Sequence, residues 1–307
     1  DRGLETEPNF NGLGYLEKPD NLKKFIIFEL IPFINNNYNT SGYDCIIGHS
    51  NTAYFTTSLL FQNNNPFKGI IALSLVEGAP EFQEKLINTL NSDFDNSYFL
   101  GYGIKDNEFN WIAKKIEVDV FNKNIVVKKY NANHTDLPAS SLVDGIKHLF
   151  NKYRNFNDFN EESNAENFNI KKYLDIYQEK IKTEYGINSE ILEDDFGYLL
   201  VETVINKNTN AFNMLVKYDE EKNDFTYQPI ILFHYRKDLG DNIEAKNIAY
   251  QMIESNDKST SRFLIAQLNT FSEFFIKNLK SPKEAVQFLE IGKKKFPESK
   301  LEFSYFI

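Results

Sequence analysis

Four short apolar runs punctuate the first half of the chain: residues 43–48 (YDCIIG), 69–75 (GIIALSL), 98–103 (YFLGYG) and 124–130 (NIVVKKY). The first three show little alternation of apolar and polar positions. Strands that read this way are buried on both faces, as happens when crossover helices cover a parallel sheet. Helical stretches lie around and between the runs, at residues 21–38, 50–62, 81–90, 107–118 and 137–153. Strand and helix in turn make the α/β pattern, so a parallel sheet is expected over residues 1–153. Open sheets of this kind collect their functional residues in loops at the carboxyl ends of the strands.

Residues 154–169 are polar and rich in Asn and Glu, which reads as a linker. From 170 to 307 the pattern is helical, with few strand signals. Ala211, Ala245 and Ala285 each sit early in an apolar helix that follows a polar turn, at spacings of 245 − 211 = 34 and 285 − 245 = 40 residues. A tetratricopeptide repeat is about 34 residues, two antiparallel helices per unit. A small alanine lets two such helices approach closely. The expected organisation is an α/β portion (1–153), a linker (154–169) and an all-α, tetratricopeptide-like domain (170–307).

Composition removes several classes of function. The net charge of −10 argues against a protein that grips the phosphate backbone of a nucleic acid. A hydrophobic content of 41% argues against a mainly disordered chain. No apolar run approaches the roughly 18 residues of a membrane span. One cysteine, Cys45, excludes an internal disulfide and a cysteine-rich metal site.

The most informative segment is residues 43–60, YDCIIGHSNTAYFTTSLL. An apolar strand runs into Gly48-His49-Ser50, and a helix follows at once. This is the arrangement of a nucleophile elbow, in which a sharp strand-to-helix turn holds a serine with its hydroxyl exposed. Gly48 gives the turn room. The helix N-terminus and the Asn51 N–H would face a developing oxyanion. Thr52 stands where G-x-S-x-G has its second glycine. The competing interpretation is a serine that caps an ordinary crossover helix.

A base and an acid are required in the chain order serine, acid, histidine. Of His49, His134, His148 and His234, only His134 follows the last strand in a loop, within NANHTDLPASS. His148 lies inside the next helix and reads as structural. His49 adjoins the serine, with its side chain expected to point away from that of Ser50, and either lines the site or packs beneath it. The acid is expected after the third strand, in GIKDNEFN, where Asp106 leaves the strand first and Glu108 is the alternative. Its work is to orient the imidazole and stabilise the imidazolium. Either carboxylate also suits a solvated turn that caps the next helix.

These residues resemble the putative-esterase group of α/β-hydrolases, which includes esterase D and the enterochelin esterases. Residues 25–38 (FIIFELIPFINNNY) are similar to that family's helix before the elbow. Residues 48–55 (GHSNTAYF) are similar to its GHS segment, with Thr52 and Ala53 in place of two glycines. Residues 132–150 (ANHTDLPASSLVDGIKHLF) are similar to the segment that carries its histidine. The resemblance implies that Ser50 is the nucleophile and His134 the base. In that family several strands precede the polar segment that residues 1–10 resemble, including the loop that donates a second oxyanion N–H. The chain is therefore expected to be the C-terminal portion of a larger bacterial hydrolase, or to pair with another copy. Some members carry a helical-repeat extension and are exported, which points to a periplasmic or extracellular location.

Two functions follow. One is a serine esterase that hydrolyses a small-molecule carboxylic ester through an acyl-enzyme, with Ser50, His134 and Asp106 as triad, Asn51 in the oxyanion hole, and no metal or organic cofactor. His49, Tyr54 and Trp111 are its candidate substrate-binding residues, with core packing the ordinary role of such aromatics. The other is a degenerate hydrolase scaffold whose helical repeats bind a protein or peptide partner. Self-association through the repeats is a further variant.

Overall fold

In the computed structural model the four apolar runs are strands: β1 (Asp44–His49), β2 (Phe67–Leu73), β3 (Ser97–Gly103) and β4 (Ile125–Tyr130). They form one sheet in the order β1-β2-β3-β4, and every neighbouring pair is parallel. The described residues are Thr6, 17–62, 65–92, 95–188, 190–222 and 227–307, without the side chains of residues 17–19 and 108.

The chain divides into two compact units, residues 1–155 with 179–189, and residues 156–178 with 190–307. The first holds the sheet. Helix α1 (Glu17–Phe25) runs through a π-helical turn into α2 (Ile31–Asn37), ahead of β1. The crossovers are α3 (Asn51–Ser58), α4 (Pro80–Asn91) and α5 (Trp111–Asp119), and α6 (Leu137–Leu149) follows β4. Parallel strands added in sequential order, joined by right-handed crossovers, place all three crossover helices on one face. The packing agrees. Ile70 and Ala72 of β2 and Tyr98 and Leu100 of β3 lie in one core with Tyr54 and Phe55 of α3, Phe82 and Leu86 of α4 and Ile112 of α5. The alternate residues Ile71, Leu73 and Phe99 face the opposite way, into a second core with Leu137 and Leu149 of α6. This period-2 split makes both faces of β2 and β3 apolar, and so accounts for their unbroken runs.

The outer strands differ from the inner two. In β4, Lys128 and Tyr130 both reach Asp144 of α6 at 2.7 Å, so charge borders that side of the sheet. Among the described residues β1 pairs only with β2, and its Ile47 is 49% exposed.

The second unit is helical, and no strand occurs among its described residues. Residues 154–169, polar enough to read as a linker, contain helix α7 (Phe159–Ser163) and bury Phe156 and Phe159. Those two aromatics give the stretch an apolar face that its Asn and Glu content hides. Helix α8 (Ile170–Tyr185) contributes residues to both units. After it come α9 (Glu193–Ile205), α10 (Thr209–Lys222), α11 (Pro229–Leu239), α12 (Asn242–Glu254), α13 (Lys258–Ala266), α14 (Leu268–Glu273), α15 (Pro282–Lys295) and α16 (Lys300–Phe306). Ala211, Ala245 and Ala285 lie within the first turns of α10, α12 and α15, and all three are buried. The core is aromatic, with Phe233, Phe271, Phe288 and Phe275 joined in that order by tilted ring contacts. No helix among the described residues is long and apolar enough to cross a membrane.

Candidate active site

Ser50 occupies the junction of β1 and α3 with φ 62° and ψ −128°. A non-glycine residue held there carries strain of about 1–3 kcal/mol. Backbone bonds hold it in place: the Ser50 N–H donates to Leu73 O (2.9 Å), and Ser50 O accepts from the N–H groups of Ala53 (2.9 Å) and Tyr54 (3.2 Å). The Ser50 side chain makes no capping bond to α3, so the ordinary N-cap role is not its role. Asn51 is the first helical residue. Its N–H has no carbonyl one turn back within the helix and is free to serve an external acceptor.

Gly48 and Thr52 explain why this sequence makes the turn. A Cβ on Gly48 would lie 2.2 Å from Thr52 O and 2.6 Å from Thr56 Oγ1, so only glycine fits. Thr52 bridges the backbone of the residue before Ser50: its hydroxyl accepts from the His49 N–H (2.8 Å) and donates to the His49 carbonyl (2.7 Å). A glycine at this position would make neither bond.

Asp106 follows β3 at the turn that leads into Asn107–Phe109. Its carboxyl does not cap that turn. Instead Oδ2 accepts from His134 Nδ1 at 2.8 Å and from Ser74 Oγ at 2.6 Å. The carboxylate is 7% exposed while the His134 side chain is 36% exposed, so the imidazole stands between a buried acid and the surface. With Nδ1–H donated to Asp106, Nε2 is left as the basic nitrogen. The loop that carries His134 is tied by Asn133, whose Oδ1 accepts from the N–H groups of Thr135 (2.9 Å) and Asp136 (3.0 Å). The ring is flanked by Phe109, with centroids 4.4 Å apart, and by His49 at 4.5 Å. His49 Nε2 bonds the His134 carbonyl at 2.9 Å. His49 therefore turns toward His134, which brings the chain neighbour of Ser50 into contact with that residue.

The remaining candidates separate. Glu108, the alternative acid, has a side chain outside the described residues. Trp111 opens α5 and is 48% exposed. Tyr54 is fully buried, stacked on Phe82 with ring centroids 4.2 Å apart, and burial pushes its phenol up to about 12. It is a core residue and presents no surface to a ligand. His148 is a buried member of α6 whose Nε2 bonds Asn124 O at 3.0 Å. Ser74 and Phe109 were not singled out from the sequence. Ser74 had a faint signal, the one hydroxyl in the apolar run GIIALSL. Phe109 had none.

No protein-family model matches the chain, and no curated protein matches it. Solved structures do resemble it. An uncharacterised protein from Capnocytophaga ochracea is 13% identical, with a TM-score of 0.55 over 87% of this chain and 78% of that one. An IroE-like serine hydrolase from Shewanella oneidensis is 15% identical, with a TM-score of 0.48 over 72% of this chain and 76% of that one. The BES protein from Bacillus cereus is 24% identical, with a TM-score of 0.39 over 48% of this chain and 65% of that one. At these identities the likeness concerns the fold, and only the first superposition is close enough to bear on it.

Proposed function

We propose that the first unit is a serine hydrolase that cleaves a small carboxylic ester through an acyl-enzyme. The observation that carries this reading is the 2.8 Å bond from His134 Nδ1 to the buried Asp106, at the same carboxyl end of the sheet as a strained, uncapped Ser50. His134 Nε2 takes the Ser50 proton as Oγ attacks the acyl carbon. Asp106 keeps the ring oriented and stabilises the imidazolium. The Asn51 N–H donates to the oxyanion. On collapse, the bond from carbon to the leaving oxygen breaks and His134 returns its proton to the alcohol. Water, deprotonated by the same nitrogen, then releases the acid and restores Ser50. Each step uses groups of this chain.

A fluorophosphonate probe with a reporter tag tests the reading. The wild-type protein should label at Ser50, located by peptide mass, and Ser50→Ala should not label. His134→Ala should label far more slowly. Labelling that persists in Ser50→Ala, or no labelling of a folded wild type, would overturn it.

A second reading, a helical unit that binds a partner, has one observation in its favour. A cleft of about 660 Å³ beside α13 is lined by Lys258, Arg262 and Lys295 with Glu298 as the one acid, over an apolar floor of Ile265 and Phe296. In a chain of net charge −10 this concentration of cations suits an acidic peptide. A fluorescent hexaglutamate peptide at low salt should bind the wild type and not Lys258→Glu/Arg262→Glu. Equal binding by both proteins would remove this reading.

A further inference from the structure

We infer that Ser74 is a positioning residue for the Asp106–His134 pair: its hydroxyl fixes the carboxylate oxygen that orients the base. The inference rests on the hydrolase reading for its catalytic meaning, while its structural content stands apart from it.

Ser74 is the first residue past β2 and is fully buried. Its backbone lies at φ 49°, a left-handed conformation in which a serine is uncommon. The Ser74 N–H donates to Gly101 O at 2.9 Å, which continues the ladder between β2 and β3 by one bond. Backbone demands alone would favour glycine here, because glycine adopts positive φ without the Cβ penalty. The hydroxyl is therefore the distinctive contribution of this side chain, and it makes one bond, to Asp106 Oδ2 at 2.6 Å.

That oxygen is the same one that accepts from His134 Nδ1. Two donors converge on a single oxygen of a buried carboxylate. Without the Ser74 donor the carboxylate is free to turn about its last bond, and the direction of the His134 ring is no longer fixed from behind. The hydroxyl also draws negative charge from the oxygen that faces the imidazole. Its loss should leave a more basic acceptor and hold a proton on His134 more tightly. The ring of His134 is also faced by His49 from the end of β1 and by Phe109 from the turn after Asp106.

Ser74→Gly separates the two roles, since it removes the hydroxyl while easing the backbone. The expected result has three parts. Thermal stability falls only modestly, because relief of the positive φ offsets part of the lost bond. Hydrolysis of p-nitrophenyl butyrate falls roughly tenfold in kcat/KM, and the acid limb of its pH profile moves to higher pH. In NMR spectra of ¹³C-histidine-labelled protein, the His134 ring signals titrate at higher pH than in wild type, while those of His234 do not move. A variant as active as wild type, with both profiles unchanged, would refute the inference. The NMR arm needs no turnover. If the wild type proves inactive, the hydrolase reading fails while the titration still decides whether Ser74 governs the pair. Ser74→Cys, which keeps a weak donor, should lie between the two.

Discussion

Substituting Gly48 by alanine is the sharpest probe of the elbow, because its effect can be worked from the backbone. The added Cβ would meet Thr52 O at 2.2 Å, and side-chain carbons essentially never come closer than 3.0 Å to another heavy atom. The first turn of α3 must therefore retreat from β1 by at least 3.0 − 2.2 = 0.8 Å. The two nearest atoms in the way, Thr52 O and C, are backbone, so turning the Thr56 side chain does not relieve the clash. Overpacking of this kind costs about 1–3 kcal/mol. The retreat also displaces the Asn51 N–H and the Thr52 hydroxyl relative to Ser50. Misplacement of reacting groups by about 1 Å lowers rates on the order of 10²-fold. Gly48→Ala should thus lose about 1–3 kcal/mol in urea unfolding and label with a fluorophosphonate on the order of 100-fold more slowly than wild type. A variant that keeps its stability and labels at the wild-type rate would show that the elbow yields cheaply, and that its geometry is not what activates Ser50.

Thr52→Val keeps the side-chain shape and removes both bonds to His49, so unfolding should cost about 1–3 kcal/mol less free energy than in wild type; a midpoint equal to that of Thr52→Ser would show that the hydroxyl contributes nothing. Burial holds the His148 ring below the usual 6.5 in spite of its bonds to backbone carbonyls. The unfolded chain then binds the extra proton, so this contribution is whole above pH 6.5 and is lost as the pH falls below it. Urea midpoints at pH 7.5 and 5.5 should differ less in His148→Gln than in wild type, and equal differences would exclude His148 as a source. Burial, with Asp44 adding to it, pushes the Cys45 thiol up to about 11. Iodoacetamide at pH 8 should alkylate it roughly a hundredfold more slowly in the folded protein than in urea, and comparable rates would contradict the shielding of the Cys45 thiol.

In the candidate site, the residues marked by local pattern were the legible ones. A glycine and a serine between an apolar strand and a helix marked the elbow, and the loops after β3 and β4 marked Asp106 and His134. Positions that depend on partners far along the chain gave less. Ser74 looks like any hydroxyl at the end of a strand until Asp106, 32 residues later, arrives beside it. Phe109 is one of 28 phenylalanines, and only the fold sets it against an imidazole. Thr52 read only as a departure from the glycine of G-x-S-x-G, since a pattern of residue types does not show that its hydroxyl would bridge the backbone of His49. The side-chain direction of His49 was open for the same reason. The polar stretch 154–169 looked like a linker because composition averages over two phenylalanines that decide its folding.

The sheet order has a kinetic consequence. Ser50, Ser74, Asp106 and His134 leave four successive parallel strands, separated by 74 − 50 = 24, then 32 and 28 residues. None of these groups meets another through local contacts, and each pairing waits on closure of a whole crossover. Helices α3 to α6 can form before the strands are in register, so a chain stalled with one crossover open has most of its helix but lacks at least one of these four side chains at its place beside the others. During refolding, recovery of the far-ultraviolet signal should therefore run ahead of recovery of Ser50 reactivity, and the interval between them measures the time the slowest strand takes to dock.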